Sequence, residues 1–514
     1  MKKIVLLLGA VFLLFVACGR RAPRSPVLAE IGDRKITVED FRRNYEFGLS
    51  HLKTGPDRKR TYLNYMINEA ILAQQGYKLG LQNSERVRRL EQDLMDELLV
   101  EAWFDHEVAS KITVTPQEIR DAITKAKVSW KLRYWYEPNV EFAGRVHQAM
   151  LERGYTSVVD EILRSNPEVQ MQPKDFETGY LTYLDVSDEL LAAIQDLPMG
   201  EISQPVEMEG GFFIFQVLDI RRQGITEYEY QERAESYRQI LYYRKLNKAA
   251  AAYTAQFMTP KNVTTKGEPF RLLADALQAW AAQKQEGPRD FLKAVRTAQP
   301  EDGKLYELGQ RLGTTLVTFE GGAWTVEDYL KHLNPGVLKR HFADRSQLRN
   351  ALNNEIAIAV RDHFFTEAAR KKKLDRLPSV QSELTAWRNK WVFEECRRYY
   401  GQNVQAVDDQ AAADFFNAHL AQYRMRPDDQ PLLAQNLERA RRDAYHHQML
   451  RRLDQVIDSL QVAFPVVVHQ DVLDTIKTVE FEKSRWASMQ VYKRSSNRLA
   501  VPIVDPGWGA FIKQ

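Results

Sequence analysis

A segment near the start of the chain recurs without gaps far downstream. Leu28-Ala-Glu-Ile-Gly-Asp-Arg-Lys-Ile-Thr-Val-Glu-Asp-Phe41 is answered by Leu316-Val-Thr-Phe-Glu-Gly-Gly-Ala-Trp-Thr-Val-Glu-Asp-Tyr329, and Thr-Val-Glu-Asp is identical at 37–40 and 325–328. Internal repetition restricts the possible folds strongly, because both copies must build the same supersecondary unit. Each copy predicts a strand, a Gly-containing turn, a second strand and a helix. Thr37 and Thr325 are candidate N-caps. Glu39-Asp40 and Glu327-Asp328 put acids in the first turn, where the helix dipole favours them.

A helical region follows each copy. Leu63, Met66, Ile67, Ala70 and Ile71 keep helical apolar spacing, as do Val87, Leu90, Leu94 and Leu98. The step from Leu81 to Val87 is matched by the step from Leu374 to Val380. Glu232-Arg-Ala234 opens an amphipathic helix through Phe257, and Glu438-Arg-Ala440 opens another through Phe464. The early and late parts stand further apart in the first copy. The simplest reading is a duplicated helical module with an extra domain inserted in copy one. Each late helix is then predicted to return onto the early helices of its own copy. The alternative is two unrelated amphipathic helices that share Glu-Arg-Ala by chance.

The insertion, 128–222, has a different texture. Val128 to Tyr136 is rich in β-branched and aromatic residues and predicts a strand. Val140 to Arg153 predicts a helix with Phe142, Val146, Ala149 and Met150 inward. Gly179 to Tyr183 predicts a short strand or turn, and Asp188 to Leu197 a helix. Val206 to Glu209 and Gly211 to Ile220 predict a hairpin around Gly210-Gly211. An antiparallel sheet flanked by helices follows. The fold class expected is mostly α with an α+β insertion.

Gly200-Glu-Ile-Ser-Gln-Pro-Val206, followed by Gly210-Gly-Phe-Phe-Ile-Phe-Gln-Val-Leu-Asp219, resembles the C-terminal signature of the parvulin (PpiC-like) peptidyl-prolyl isomerases, and Gly179-Tyr180 resembles that family's Leu-Gly-Trp corner. The order of segments around it resembles the SurA- and PrsA-type envelope chaperones. The resemblance implies a parvulin-like antiparallel-sheet domain between duplicated chaperone modules, and binding of unfolded envelope proteins. Parvulins carry a pair of histidines on the central sheet. At the matching positions this chain has Tyr134, after Arg133, and Phe213. The family's apolar pocket positions fall on Val186 and Leu190, which also suit the ordinary core face of one helix. His147, the only histidine in the insertion, is expected on a solvated helix face. Substrate binding is therefore expected at Val186, Leu190, Phe213 and Tyr134, with Tyr134 and Phe213 as degenerate catalytic positions and isomerase activity weak or absent.

The N-terminus predicts export. Lys2 and Lys3 precede an apolar or small-residue run from Ile4 to Ala17. The run is shorter than the roughly 20 residues that span a bilayer and suits a signal peptide. Leu14-Phe15-Val16-Ala17-Cys18-Gly19 resembles a lipobox, which implies lipidation of Cys18 and multiple acyl chains for stable anchoring. Gly19 resembles outer-membrane sorting in Gram-negative cells. The expected organisation is a lipoprotein signal peptide at 1–17 and a tether at 18–27. The first helical module takes 28–127 with 223–262, around the parvulin-like domain at 128–222. A helical connector at 263–315, the second module at 316–470 and a tail at 471–514 complete it. Trp486, Tyr492 and Trp508 leave that tail either loose or docked on a partner.

Other chemistry is scarce. With Cys18 lipidated, Cys396 is the one remaining cysteine of two, so an intramolecular disulfide and a Cys-based zinc site are excluded, and a buried inert thiol is expected. A net charge of +3 with dispersed charges gives no electrostatic case for nucleic acid. His446-His447 are neighbours that diverge on a helix, and Arg370-Lys-Lys-Lys373 predicts a solvated helix end. No cofactor or metal is expected. The partners expected are unfolded or nascent envelope proteins and, through Cys18, a membrane. The function expected is a lipid-anchored extracytoplasmic chaperone. The alternatives are an active prolyl isomerase with a histidine-free pocket and an outer-membrane assembly scaffold.

Overall fold

The computed structural model describes residues 25–165, 171–208, 211–224, 227–283, 290–402, 404–424, 426, 428–478, 499 and 501–509. The signal peptide and the lipidation expected at Cys18 lie outside these residues, as do Gly210, Trp486 and Tyr492. In chain order the elements are β1 (Val27–Ile31), β2 (Arg34–Thr37), α1 (Val38–Phe47), α2 (Arg58–Lys78), α3 (Glu85–Glu107) and α4 (Pro116–Lys125). The insertion supplies β3 (Val128–Glu137), α5 (Val140–Arg153), α6 (Tyr155–Arg164), β4 (Glu177–Thr182), α7 (Asp188–Ile194), β5 (Val206–Met208) and β6 (Gly211–Arg222). Then come α8 (Glu227–Met258), β7 (Thr264–Thr265), α9 (Gly267–Ala282), α10 (Phe291–Thr297) and α11 (Lys304–Gly309). The second copy follows as β8 (Thr315–Phe319), β9 (Gly322–Thr325), α12 (Val326–Leu330), α13 (Arg345–Lys371), α14 (Pro378–Gly401), α15 (Asp409–Ala418), α16 (Leu433–Leu460), β10 (Val466–Val468) and α17 (Gln470–Thr475). The architecture is mostly helical with small antiparallel sheets.

The chain divides into two compact units, the first formed by residues up to Trp103, Gly267–Leu316 and Trp324 onward. Its two Thr-Val-Glu-Asp segments build the same device. Thr37 Oγ1 accepts from Asp40 N while Thr37 N donates to Asp40 Oδ2, and Thr325 and Asp328 repeat the exchange. Such capping boxes satisfy two orphan backbone donors at a helix start. The helices of the two copies then interleave. Gly76 of α2 approaches Val392 of α14 so closely that a Cβ would sit 2.6 Å from Val392 Cγ1. Lys390 Nζ lies 2.8 Å from Glu69 Oε1, and Tyr77 donates to Asn389 across 2.9 Å. Reciprocally, Trp103 of α3 meets Phe365 of α13 at 6.4 Å between ring centroids, and Arg370 pairs with Asp96 at 2.8 Å. Arg370 belongs to the basic run expected at a helix end. That run closes α13, with Lys373 in the left-handed region at φ 61°.

The late helix departs from the return expected of it. Ala440 and Ala444 in the first half of α16 pack on Phe415 and Phe416 of α15, within their own copy. Leu450, Leu453, Ile457 and Phe464 instead enter the core of the first copy, beside Leu28, Ile31, Phe41 and Tyr62. β10 then pairs antiparallel with β1, Ala29 opposite Val468 and Ile31 opposite Val466, giving the sheet β10-β1-β2. The physical reason is reach and an open edge. The 28 residues of α16 span about 40 Å at 1.5 Å per residue, and β1 would otherwise leave a row of unpaired backbone groups. The tail is also partly placed. Val504 and Trp508 are buried in the same core, because that core offers an aromatic slot assembled from both copies.

The second unit comprises Phe104–Lys266 and Val317–Ala323. Ile119, Ala122 and Ile123 of α4 pack on Tyr237 and Leu241 of α8. The chain after α8 forms β7, which pairs with β8 at Thr264–Thr318 and Thr265–Val317. The strand after each late helix thus completes the other copy's hairpin. The insertion folds as a four-stranded antiparallel sheet in the order β4-β3-β6-β5. Period-2 alternation divides its side chains. Trp130, Leu132, Phe215 and Val217 pack with Val186, Leu190, Leu191 and Ile194 on the α7 side, and Trp135 and Ile214 pack with Met150, Tyr155 and Val158 on the α5–α6 side. Val146, Ala149 and Met150 of α5 face this cluster as expected, and Ala143 and His147 are buried too, while Phe142 is 53% exposed, which corrects the inward position expected for it. No helix among the described residues is long and apolar enough to cross a membrane.

Candidate functional site

The motif from Gly200 to Val206 folds as an arch along β6. Gly200 turns the chain at φ +87°, its N–H donating to Val217 O across 2.7 Å. Ser203 N donates to Phe215 O at 2.7 Å, and Phe215 N donates to Ser203 Oγ at 3.0 Å. The arch therefore takes up ladder groups of β6 before β5 begins, and it fixes the register of the strand that carries Phe213. Tyr180, the corner aromatic, lies on β4 and donates its hydroxyl to Asp219, which raises the phenol's pKa.

β3 and β6 are the two central strands, with Tyr134 opposite Phe215 and Tyr136 opposite Phe213. Tyr134 and Phe213 are thus diagonal neighbours on one face, within reach for aromatic side chains. Their ring centroids lie 6.4 Å apart at 46°. Phe213 stacks on Phe215 at 6.0 Å and touches Tyr136 at 5.1 Å, and Phe176 meets Tyr134 edge-on at 6.0 Å. Tyr134 and Phe213 are half-buried and belong to the apolar cluster that holds Val186 and Leu190. Those two are only 3% and 6% exposed, so they form the floor of the cluster and not an open wall. Ser187 caps α7 by accepting from Leu190 N at 3.2 Å, and Arg244 of α8 donates to Tyr183 O and Val186 O, which fixes the loop leading into α7.

Charge is kept on the other side of the sheet. Lys131 and Arg133 alternate away from Tyr134 and pair with Glu177 at 2.9 and 2.8 Å, and hydrogen bonds from both hold the Glu177 carboxyl below its ordinary range. Arg133 also lies over the Tyr155 ring at 5.1 Å, and the Tyr155 hydroxyl donates to Tyr134 O at 2.6 Å. His147 is buried rather than solvated, at 6% exposure. Burial pushes its imidazole pKa down, and its Nε2 finds no hydrogen-bond partner among the described residues. α5 packs on β3 and β6 from the α5–α6 side, so His147 sits across the sheet from Tyr134 and Phe213. Cys396 is buried in the first unit, where desolvation raises its thiol to about 12. His446 and His447 lie on α16, His446 beside Gly507 and His447 beside Phe415 and His419.

The face around Tyr134 and Phe213 can hold a proline or aromatic side chain against aromatic rings. Apart from tyrosine hydroxyls, those of Tyr134, Tyr136 and Tyr183, the aromatic and aliphatic side chains of this cluster carry no group suited to proton transfer. Phe176, Tyr136 and Phe215 were not singled out from the sequence. The signal was present in the alternation of Tyr134 with Tyr136 and of Phe213 with Phe215. A separate groove of about 370 Å³ runs along α8, lined by Val114, Glu235, Arg238, Gln239, Tyr242 and Tyr243. None of the four expected binding residues lines it.

No family model matches the chain, and no curated protein matches it. Solved structures do. One comes from work on PEB4 and Cj1289, described as SurA-like chaperones of Campylobacter jejuni. It is 14% identical and covers 47% of this chain and 100% of its own, with a TM-score of 0.21. The peptidylprolyl isomerase PrsA of Bacillus anthracis is 15% identical over 37% of this chain and 96% of its own, TM-score 0.20. PrsA of Bacillus cereus is 13% identical over 55% and 98%, TM-score 0.21. Identity and TM-score are both low, so function is argued from this chain's own residues.

Proposed function

We propose that this chain is a membrane-anchored extracytoplasmic chaperone of the parvulin group, SurA- or PrsA-like, that binds unfolded envelope proteins and has weak or absent prolyl isomerase activity. The observation that carries the reading is the Tyr134–Phe213 pair, 6.4 Å apart on the two central strands, where the family resemblance implies histidines. The Gly200–Val206 arch supports the placement, because it sets the register of Phe213 against β3. Lipid on Cys18 would hold the protein at a membrane, on the periplasmic face of the outer membrane in a Gram-negative cell.

The chemistry follows from what the pair is. Rotation about a prolyl bond faces a barrier of about 18–20 kcal/mol. Two imidazoles could share hydrogen bonds with the twisting amide, whereas a phenol beside a phenyl ring offers mainly apolar surface. Such surface holds ground state and transition state alike, and uniform binding does not accelerate the chemical step. Unfolded chains expose proline and aromatic side chains, which this surface suits.

The test runs two assays on the full protein. A protease-coupled prolyl isomerisation assay should give little enhancement, while aggregation of an unfolded client should be suppressed at near-stoichiometric chaperone. Robust isomerisation that is lost in Val186→Asp or Leu190→Asp would establish the active-isomerase reading instead. Failure to suppress aggregation, with one stable stoichiometric partner recovered from membranes, would favour the assembly scaffold.

A further inference from the structure

The C-terminal segment 501–509 lies in a groove built by α1, α2, α14 and α16, and the manner of its recognition has a chemical meaning. Asn44 Nδ2 donates to Pro502 O at 3.0 Å, and Asn44 Oδ1 accepts from Val504 N at 3.0 Å. Glu69 Oε1 accepts from Asp505 N at 2.6 Å. His51 Nε2 lies 3.0 Å from Pro506 O, and His446 Nε2 lies 3.3 Å from Gly507 O. These bonds run from side chains of the groove to backbone atoms of the segment. Backbone-directed bonds give affinity with little dependence on sequence, as in other modes of extended-peptide recognition.

Two pockets add selectivity. Trp508 is 2% exposed and stacks between Tyr65 and Phe393, at 6.3 and 6.2 Å between ring centroids, while its indole N–H donates to Glu69 Oε1 at 3.1 Å. Gly507 passes so near His446 that a Cβ would meet Nε2 at 2.7 Å, so a larger residue before the aromatic one would have to displace the His446 ring, which favours glycine there. Glu69 is not left unbalanced, because Lys390 Nζ reaches both its oxygens at 2.8 Å. Arg397 adds an ion pair to Asp505 at 2.5 Å. Among the described backbone–backbone bonds outside helices and strands, the segment makes one within itself, Trp508 N to Asp505 O, and none to the groove. It is a bound peptide rather than a strand of the fold.

We propose that this groove is a second binding site for extended polypeptide, selecting an aromatic residue that follows a glycine, and that residues 501–509 occupy it in cis as a displaceable stand-in for a client segment. The proposal rests on the chaperone reading for the identity of the ligand, but not on the Tyr134–Phe213 cleft. Because the stand-in belongs to the same chain, its binding is intramolecular and does not depend on protein concentration, which makes it a strong competitor. An outside segment gains access when the tail is weakened or when client is in excess.

The test uses the full chain and a fluorescein-labelled peptide, Val-Pro-Ile-Val-Asp-Pro-Gly-Trp-Gly, which repeats residues 501–509. Wild type should bind it weakly. Trp508→Ala should bind it at least tenfold more tightly, and adding Asn44→Ala should remove the gain. A Trp508→Ala protein with unchanged circular dichroism that binds no better than wild type overturns the proposal. If Trp508→Ala does not fold, hydrogen exchange on wild type decides. With excess reduced and carboxymethylated unfolded protein present, the amides of Val504 and Asp505 should exchange faster while those of β1 do not change. A client that binds by fluorescence anisotropy but leaves Val504 and Asp505 protected overturns this proposal alone. A client that does not bind at all overturns the chaperone reading as well, and with it the client role of the groove.

Discussion

Tyr134 and Phe213 face each other diagonally across β3 and β6, with ring centroids 6.4 Å apart, and Phe213 continues the contact by stacking on Phe215 at 6.0 Å. The sheet that carries them keeps its ion pairs on the opposite side, where Lys131 and Arg133 hold Glu177. The face around Tyr134 and Phe213 is therefore aromatic, and the ion pairs lie on the other side, beside the apolar packing of Trp135 and Ile214. The separation follows from strand alternation alone: Arg133 and Tyr134 are neighbours in sequence and point to opposite sides.

The interleaving of the copies depends on one close helix crossing. A glycine-to-alanine change in a helix interior ordinarily stabilises by about 1 kcal/mol. At Gly76 the added Cβ would sit 2.6 Å from Val392 Cγ1 and 3.0 Å from Val392 O, and overpacking of that kind costs about 1–3 kcal/mol. Gly76→Ala should therefore lower the denaturation midpoint. An unchanged or raised midpoint would show that α2 and α14 can separate freely.

The Cys396 thiol is buried, and desolvation raises it to about 12. The thiolate is the reactive species, so native protein at pH 8 should resist alkylation at Cys396, while protein in denaturant should react fully. Peptide mass mapping after a short iodoacetamide pulse checks this. Rapid labelling of the native state would place the thiol at an accessible surface.

Hydrogen bonds from Thr325, then Lys331, lower the Asp328 carboxyl to about 2. A folded value below the unfolded one gives stability that is present above the unfolded value, about 4, and is lost as pH falls through the folded value. The contribution should therefore disappear between about pH 4 and pH 2. Asp328→Asn should flatten the acid limb of the stability profile in that window, and Thr325→Ala should cost about 1 kcal/mol near neutrality, as loss of an N-cap does. An acid limb unchanged in Asp328→Asn would remove the carboxylate from this role.

The proposed membrane attachment rests on the lipobox resemblance at Cys18. Cys18→Ser should release the protein from the membrane fraction or block its maturation. Unchanged retention with an unshifted mass would show that something other than lipid on Cys18 holds it.

Local signals were legible in the sequence, and assembled ones were not. Thr37–Asp40 and Thr325–Asp328 could be read as helix starts because a capping box is complete within four residues. The Gly200–Val206 motif was legible only through its family resemblance; the arch it forms along β6 depends on bonds from Gly200 and Ser203 to Val217 and Phe215. The exchange of β7 and β10 between the copies could not be read, since a strand of two or three residues acquires its partner only through the reach of the preceding helix. On α5, Val146, Ala149 and Met150 face inward as their spacing suggests, whereas Phe142 does not, because Phe142 and Ala143 both extend the apolar stripe and only tertiary packing buries Ala143 instead. Trp508 gave no sign of burial because its slot comes from Tyr65, Glu69 and Phe393, far away in sequence. Among the expected binding positions, Tyr134 and Phe213 stand at the surface of the cluster, whereas Val186 and Leu190 lie beneath it.

The central claim is that the aromatic face around Phe213 holds unfolded polypeptide. Its most direct test is equilibrium binding of a fluorescent, permanently unfolded protein to full-length wild type and to Phe213→Asp, with circular dichroism to verify the fold. A buried aromatic contact in a binding site contributes about 1–3 kcal/mol, and every 1.4 kcal/mol is tenfold in affinity. Binding should weaken by about tenfold or more in Phe213→Asp, compared at a temperature where both proteins are folded by circular dichroism. Equal affinity for the two proteins would contradict the claim and move client binding away from this sheet.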